Sequence, residues 1–360
     1  MKRETRRVVV TGGAGFIGSA MVRYLLANTQ VQVRVVDKLT YAATFGSALK
    51  AMGESSRVQL ANLDICEGTG LSQLFNEFQP DSLIHFAAES HVDRSIQGAA
   101  DFIRTNVEGT QVLLDAWRNY IDQESNSSHL ARADMHFHFI STDEIYGDRY
   151  GLTPSAENTA QAASSPYAAS KVAAQSLVDA WHRTYDLPVI TSVCSNNYGP
   201  WQHGEKFIPA TIQRALKDEP LAIYGPGSQR RNWSYVEDTV ADIWQVHLIG
   251  WIGRRYHLLG EPEVANLDLV HRLCDVLASQ IEQSPGFVQP LAEHFRSLIT
   301  HVEDRPGHDR SYLMGSTWFE QDIERNRHGL PRHRRGLMEG LKETVAWYTQ
   351  NVTSKQKDVG

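Results

Sequence analysis

The chain has 360 residues, of which 41% are hydrophobic and 21% charged, and a formal net charge of -7. Length and balance predict a globular protein of one large domain or two, with enough apolar residues for a sizeable core. The net negative charge argues against a nucleic-acid surface, while leaving room for a local basic pocket for phosphate.

Three cysteines, Cys66, Cys194 and Cys274, are widely spaced and form no CxxC pair, so neither a disulfide framework nor a zinc site is expected. The fifteen histidines contain no HExxH pattern, and no metal is expected. The basic stretch from Met1 to Arg7 leads into a short strand and a glycine loop, unlike a signal peptide. No apolar run approaches the roughly 18 residues of a membrane span. A cytoplasmic protein without membrane association is the expectation.

Along the chain, Val8-Val9-Val10 is a β-branched run that stops at a glycine cluster, and a helical pattern follows from Phe16 to Leu26. Val31 to Val36 is a second apolar run, ending at Asp37. Asp81 to Ala87 and Met135 to Ser141 read as further strands, with a helix from Phe102 to Asn119 between them. This alternation predicts an α/β fold, a doubly wound parallel sheet of Rossmann type covered on both faces. Gln123 to Asp134 and Gly147 to Pro166 read as loops, and so do Asn196 to Gly204 and Tyr224 to Gly227. Beyond about residue 190 the pattern is less regular. The expected division is a dinucleotide-binding domain over 1–190 and a smaller C-terminal substrate-binding lobe over 191–350. Some segments of that lobe are expected to return to the first domain, and 351–360 to form a disordered tail.

The first strand runs into Thr11-Gly12-Gly13-Ala14-Gly15-Phe16-Ile17-Gly18. Glycines at 12, 15 and 18 suit a tight turn, close approach to a pyrophosphate and close helix–strand packing, and the helix N-terminus offers free N–H groups to the anion. Asp37, at the end of the second strand, would accept hydrogen bonds from adenosine ribose hydroxyls and repel a 2′-phosphate, which favours NAD over NADP. Asp64, followed by Ile65, either contacts the adenine or caps a helix.

Tyr167 and Lys171 are four residues apart and share a helix face. A tyrosine with an ordinary pKa near ~10 is a poor base. A neighbouring ammonium and a cationic nicotinamide would lower it, and Tyr167 could then take a sugar hydroxyl proton as hydride leaves. Ser141-Thr142-Asp143-Glu144-Ile145-Tyr146-Gly147 closes the Met135 strand at its carboxyl end, where open α/β sheets place ligands. Hydride transfer alone needs no pair of adjacent carboxyls. Dehydration does: one protonates a leaving hydroxyl and the other removes a carbon-bound proton.

Together these segments resemble the dTDP-glucose 4,6-dehydratases of the extended short-chain dehydrogenase/reductase superfamily, from about Arg7 to His308 and again near Gly336 to Tyr348. The resemblance also rests on Asp37-Lys38-Leu39-Thr40-Tyr41, on Ala87-Ala88-Glu89-Ser90-His91-Val92-Asp93-Arg94-Ser95 and on Cys194-Ser195-Asn196-Asn197-Tyr198-Gly199-Pro200. Tyr235-Val236-Glu237-Asp238 and Glu303-Asp304-Arg305-Pro306-Gly307-His308-Asp309-Arg310 complete it. It implies NAD as a recycled cofactor, a nucleoside-diphosphate glucose as substrate and a homodimer joined through helices such as Phe102 to Tyr120 and Ala168 to Tyr185. It implies Tyr167 as base toward the C4 hydroxyl, assisted by Lys171 and Thr142, with Glu144 as base at C5 and Asp143 as acid at the C6 hydroxyl. Cofactor contacts would come from Gly12, Gly15, Phe16, Ile17, Gly18, Asp37, Lys38, Leu39, Thr40, Asp64, Ile65, Phe86, Ala87, Ala88, Ser90, Thr105, Tyr167, Lys171 and Asn197. Substrate contacts would come from Ser90, His91, Thr142, Asn196, Lys206, Phe207, Ala222, Tyr224, Arg231, Asn266, Arg305 and His308. Lys206, Arg231 and Arg305 suit a diphosphate on charge alone.

The sequence departs from the family pattern at Ala42-Ala43-Thr44, at Asn232 in place of an aspartate before Trp233, at Leu313-Met314-Gly315 and at His328 to Arg332. Two other readings stay open on the residues: a dehydratase or epimerase for a UDP-linked sugar, and a non-catalytic NAD-binding protein. Five intact chemical residues argue against the second.

Overall fold

The computed structural model describes residues 5–41, 43, 55–127, 134–281, 292–326 and 334–357. In chain order the first part comprises β1 (Arg7–Thr11), α1 (Phe16–Asn28), β2 (Gln32–Asp37), β3 (Val58–Asn62), α2 (Gly68–Phe78), β4 (Ser82–His85) and α3 (Val92–Gln97). A helical stretch then passes from Ala100–Phe102 through a π-helical turn at Ile103–Glu108 into α4 (Gly109–Ser127). β5 (His136–Thr142), a 3-10 turn at Asp143–Tyr146, α5 (Pro166–Tyr185) and β6 (Val189–Cys194) follow. The remainder is β7 (Asn196–Tyr198), α6 (Phe207–Ala215), β8 (Leu221–Tyr224), β9 (Arg230–Arg231), β10 (Trp233–Tyr235), α7 (Val236–Ile249), β11 (Arg255–Leu258), β12 (Val264–Ala265), α8 (Asn266–Ile281), α9 (Ala292–Ser297), β13 (Ile299–Val302), a second π-helical turn at Phe319–Glu324 and α10 (Leu337–Lys357).

The central sheet has seven strands in the order β11-β6-β5-β4-β1-β2-β3. Every pairing in it is parallel. Short β-branched runs make these strands because both sheet faces are covered and no polar alternation is needed. Val8 and Val10 point to one face, into a core with Val33, Val35 and Ile243 under α1 and α7. Val9 points to the other, with Phe75, Trp117, Phe137 and Phe139 under α2, α4 and α5. The order reverses between β1 and β4, so the loops at their carboxyl ends diverge and leave a crevice.

The second lobe has its own core. Leu269, Leu273 and Leu277 recur on one face of α8 and meet Ile208 and Ile212 of α6 and Leu341 and Val345 of α10. The lobe boundary is not a clean cut at residue 190: that position lies inside β6, and both α7 and β11 rejoin the large sheet.

Several expectations are revised. Asn196 to Gly204 does not begin as a loop, since Asn196–Tyr198 is a strand paired with β10. Helix α4 runs on through the polar segment to Ser127, and residues 128–133 lie outside the described set. The expected disordered tail is helical to Lys357, because no glycine or proline interrupts α10 after Gly340. The side chains of Thr349 and Asn351 donate back to the Val345 and Trp347 carbonyls. Ala42, Thr44 and His328 to Arg332 lie outside the described residues.

Candidate active site at the carboxyl ends of the strands

A cleft of about 310 Å³ opens at the crevice between β1 and β4 and runs toward the second lobe. Gly12, Gly15, Phe16, Ile17, Gly18, Asp37, Lys38, Thr40, Asp64, Ile65, Phe86, Ala87, Ala88, Ser90 and Thr105 line one half. Thr142, Asp143, Glu144, Tyr167, Lys171, Asn196, Asn197 and Lys206 line the other. Of the residues expected at the cofactor, Leu39 alone is off the wall. It takes a positive φ of 54° and donates its amide to Asp37 Oδ1 at 2.8 Å.

The first half has the shape and donors of a dinucleotide site. A Cβ on Gly12 would stand 2.6 Å from the Ala87 nitrogen, and one on Gly18 would stand 2.2 Å from the Gly12 carbonyl oxygen. Only glycine lets turn, helix and β4 loop approach this closely. Gly15 is the N-cap of helix α1 and supplies no capping side chain, so the first N–H groups are left for an anion. A Cβ on Gly15 would meet the Gly12 carbonyl oxygen at 3.2 Å and otherwise occupy the cleft, where a pyrophosphate would lie. Asp37 Oδ2 accepts from Ala14 N at 3.0 Å, which ties the end of β2 to the glycine turn. Burial pushes the Asp37 carboxyl up, against the two amides and Lys38. Asp64 does not cap α2, whose N-cap is Glu67; its Oδ1 accepts from Cys66 N at 3.0 Å and it lines the cleft.

At the other half, Ser165 caps α5 by accepting from Ala168 N, and Pro166 occupies the first turn. This helix presents Tyr167 and Lys171 together at the end of β5. Lys171 Nζ donates to the Ile140 carbonyl at 2.9 Å and stands 4.4 Å over the Phe139 ring. Burial lowers this ammonium to about 8. Tyr167 is pushed up, by burial first and then by the Glu144 charge, with Thr142 opposing. The lowering expected for this phenol from its neighbouring ammonium is not found here, and Lys171 is turned toward Ile140.

Asp143 is 2% exposed, and burial with the adjacent Glu144 charge raises its carboxyl to about 8. Its Oδ1 accepts from Thr142 Oγ1 at 3.1 Å, while Oδ2 is buried without a partner. Glu144 is also raised by burial, but Arg305, Arg231 and Lys206 all pull it back down. Both carboxyls are raised, Asp143 with the Glu144 charge against it and Glu144 with three cations opposing the rise, an arrangement that suits an acid beside a base.

Phe207, Ala222, Tyr224, Arg231, Asn266, Arg305 and His308 lie in the second lobe beyond the cleft wall. Lys206 Nζ donates to the Ser90 carbonyl at 2.9 Å and His91 Nε2 lies 3.5 Å from Glu205. Arg231 is 5% exposed, donates to the Arg230 and Asp309 carbonyls at 2.8 Å each, and sits 4.3 Å over Tyr312. His308 Nδ1 lies 2.6 Å from Asp304 Oδ1, and the Tyr224 ring meets the His308 ring edge-on at 5.7 Å. Phe207 stacks on Trp233, and Ala222 is exposed on β8. Asn196 Oδ1, Asn266 Oδ1 and Arg305 Nε are buried without partners, like Asp143 Oδ2.

Sequence reasoning missed several groups here. Asn106, 1% exposed in the π-helical turn, accepts from Glu89 N at 2.8 Å and donates to Glu89 O at 3.0 Å and Ser170 Oγ at 2.8 Å. It clips the β4 loop to α5. Glu205 faces His91, Arg94 and His203. Tyr312 and Asp309 are buried near Glu144 and Arg231. Cys194 lines the cleft, with burial raising its thiol to about 12. The departure at Asn232 has a structural reason: its amide donates to the Glu261 carbonyl while Oδ1 accepts from Gly260 N, which one aspartate could not do.

The family described as GDP-mannose 4,6 dehydratase matches residues 9–324. A dTDP-glucose 4,6-dehydratase of Neisseria gonorrhoeae is 44% identical over 352 residues, covering 98% of each chain. One from Escherichia coli strain K12 is 44% identical over 359 residues, 96% of this chain and 93% of that one. Among solved structures, the dTDP-glucose 4,6-dehydratase DesIV of Streptomyces venezuelae, crystallised with NAD and dTDP bound, is 34% identical with a TM-score of 0.83, covering 97% of this chain and 98% of that one. On fold, site and similarity over nearly its full length, the chain belongs to the dTDP-glucose 4,6-dehydratase family of extended short-chain dehydrogenases/reductases.

Proposed function

We propose that the protein is a hydro-lyase that converts dTDP-glucose to dTDP-4-keto-6-deoxyglucose and water with a recycled NAD. The observation that carries this reading is the buried Asp143 beside Glu144 at the end of a dinucleotide cleft. An epimerase has no use for such a pair.

NAD held in the first half of the cleft would supply the hydride acceptor for C4 and the hydride donor for C6. Gly12, Gly15 and Gly18 seat its pyrophosphate, and Asp37 its adenosine ribose. Tyr167 takes the C4 hydroxyl proton, with Thr142 and Lys171 beside it. The resulting 4-ketone acidifies C5, and Glu144 removes that proton. Asp143 gives its proton to the C6 hydroxyl, which leaves as water. Glu144 returns a proton to C5, and the proton taken from the C4 hydroxyl replaces the one Asp143 gave up. Lys206, Arg231 and Arg305 face the diphosphate, and Ser90, His91, Asn196, Phe207, Ala222, Tyr224, Asn266 and His308 complete the nucleotide-sugar surface.

The same reading includes a homodimer in the cytoplasm. Ile96, Ile103 and Tyr185, all more than a third exposed, leave apolar surface on and beside the helices expected to pair. Light scattering of the purified protein tests the dimer. Among the described residues no helix is long and apolar enough to cross a membrane.

Incubation with dTDP-glucose and mass spectrometry tests the activity. Loss of one water without net NADH is expected; reaction of UDP-glucose in its place would overturn the substrate and keep the chemistry.

A further inference from the structure

The acid and the base of the proposed dehydration sit on one four-residue turn, so whatever holds that turn sets their aim. Tyr146 closes it. Its ring is 2% exposed and packs with Ile145, Val193 and Met314. Its Oη lies 2.7 Å from His257 Nε2. His257, on β11, is fully buried, and its Nδ1 lies 2.6 Å from the Gly315 carbonyl oxygen. A carbonyl only accepts, so Nδ1 carries the proton, Nε2 is bare, and Tyr146 donates to it. Burial pushes His257 down to about 4, which keeps this neutral form at ordinary pH.

The far end of the chain is fixed as well. Gly315 N donates to the Ser155 carbonyl and Ser155 N to the Leu313 carbonyl, each at 2.9 Å. Arg255, two residues before His257 on the same strand, pairs with Asp179 of α5 at 3.2 Å. At the same end of the turn, Gly147 takes a φ of +66°, and Ala162 N donates to the Ile145 carbonyl at 2.9 Å. The turn thus hangs on a hydrogen-bonded line from residues 313–315 through the edge strand of the sheet.

We propose that His257 is a positioning residue for dehydration: it holds Tyr146 and through it aims Asp143 and Glu144, without touching the substrate. This rests on the dehydratase reading above. Tyr167 and Lys171, in the hydride half of the site, have anchors of their own besides. Tyr167 N donates to Ser95 Oγ at 3.1 Å, and Lys171 is fixed on the Ile140 carbonyl. Loss of the Tyr146–His257 link should therefore disturb elimination and spare oxidation.

Three variants test this: Tyr146→Phe, His257→Asn and His257→Gln. Glutamine can place an acceptor where Nε2 stood and keep the bond from Tyr146, whereas asparagine reaches only the Nδ1 position. Single-turnover experiments with dTDP-glucose would follow NADH absorbance for oxidation and loss of water by mass spectrometry for elimination. Tyr146→Phe and His257→Asn are expected to slow loss of water by about 10- to 100-fold, the scale of an ångström-sized misplacement, with NADH formation and KM little changed. NADH then accumulates, and His257→Gln restores most of the elimination rate. Equal slowing of both steps, no slowing of either, or a glutamine variant no better than the asparagine one would overturn the proposal. If Tyr146→Phe fails to fold, the two histidine variants decide it. A wild-type protein that binds NAD yet releases no water would instead overturn the dehydratase reading beneath it.

Discussion

Asp93 Oδ1, on α3 of the first lobe, lies 3.4 Å from Arg305 Nη1 of the second. The Tyr224 hydroxyl approaches the other oxygen of the same carboxylate at 3.5 Å. Two groups proposed to face the substrate are thus held by a carboxylate that a diphosphate would have to displace. Asp93→Asn is expected to tighten dTDP binding by about 2- to 5-fold at low salt, the scale of a partly exposed ion pair, and by less as salt screens it. Calorimetric titration at two ionic strengths measures this. Weaker binding would mean that Asp93 positions Arg305 rather than competing for it.

The division of labour between Asp143 and Glu144 predicts a split phenotype. Asparagine at 143 cannot protonate the leaving hydroxyl, so Asp143→Asn should slow loss of water by on the order of 100-fold or more. Oxidation at C4, read as NADH formation in a single turnover, should change only a few-fold. Equal loss of both steps would count against the assigned role.

The same carboxyl predicts a stability trend with pH. Asp143 holds its proton to about 8 when folded, against about 4 in an unfolded chain. The folded state binds the extra proton, so this contribution is complete below about pH 4 and is lost as pH rises toward 8. Asp143→Asn does not titrate. It should melt higher than the parent at pH 8, by on the order of 5 °C, and the gap should close near pH 4. Thermal melts across that range test it, and a gap independent of pH would contradict the buried, raised carboxyl.

Asp37 is expected to govern cofactor affinity. Its removal takes away a ribose acceptor and also frees the amides of Ala14 and Leu39. Asp37→Ala should weaken NAD by about 10- to 100-fold, the range for charge-assisted hydrogen bonds. Fluorescence titration of stripped protein gives the constant directly, and an unchanged value would remove Asp37 from the ribose site.

The parallel sheet was legible because its signal is local: runs such as Val8-Val9-Val10 and Val31 to Val36 are continuous, and glycine spacing marks the first turn. Asp143 and Glu144 were legible as a pair, but their inequality was not. Arg231 acts on both, whereas Arg305 and Lys206 act on Glu144, and these cations come alongside only in the fold. The strand at Asn196–Tyr198 was read as a loop because its partner, Trp233–Tyr235, lies far along the chain and both are too short to show a period. Asn106 escaped notice because its three partners, on Glu89 and Ser170, come together only in the fold.

The edge strand β11 has a further consequence. It is threaded into the sheet from the second lobe, so the two lobes are interlaced rather than modular. A chain stopped after the first lobe would expose the edge of β6, whose six residues are all buried here. An open apolar strand edge invites pairing between molecules. Excising the dinucleotide-binding half by itself should therefore yield aggregates, and recombining halves from different relatives would require exchanging β11 and α7 along with the sheet they complete.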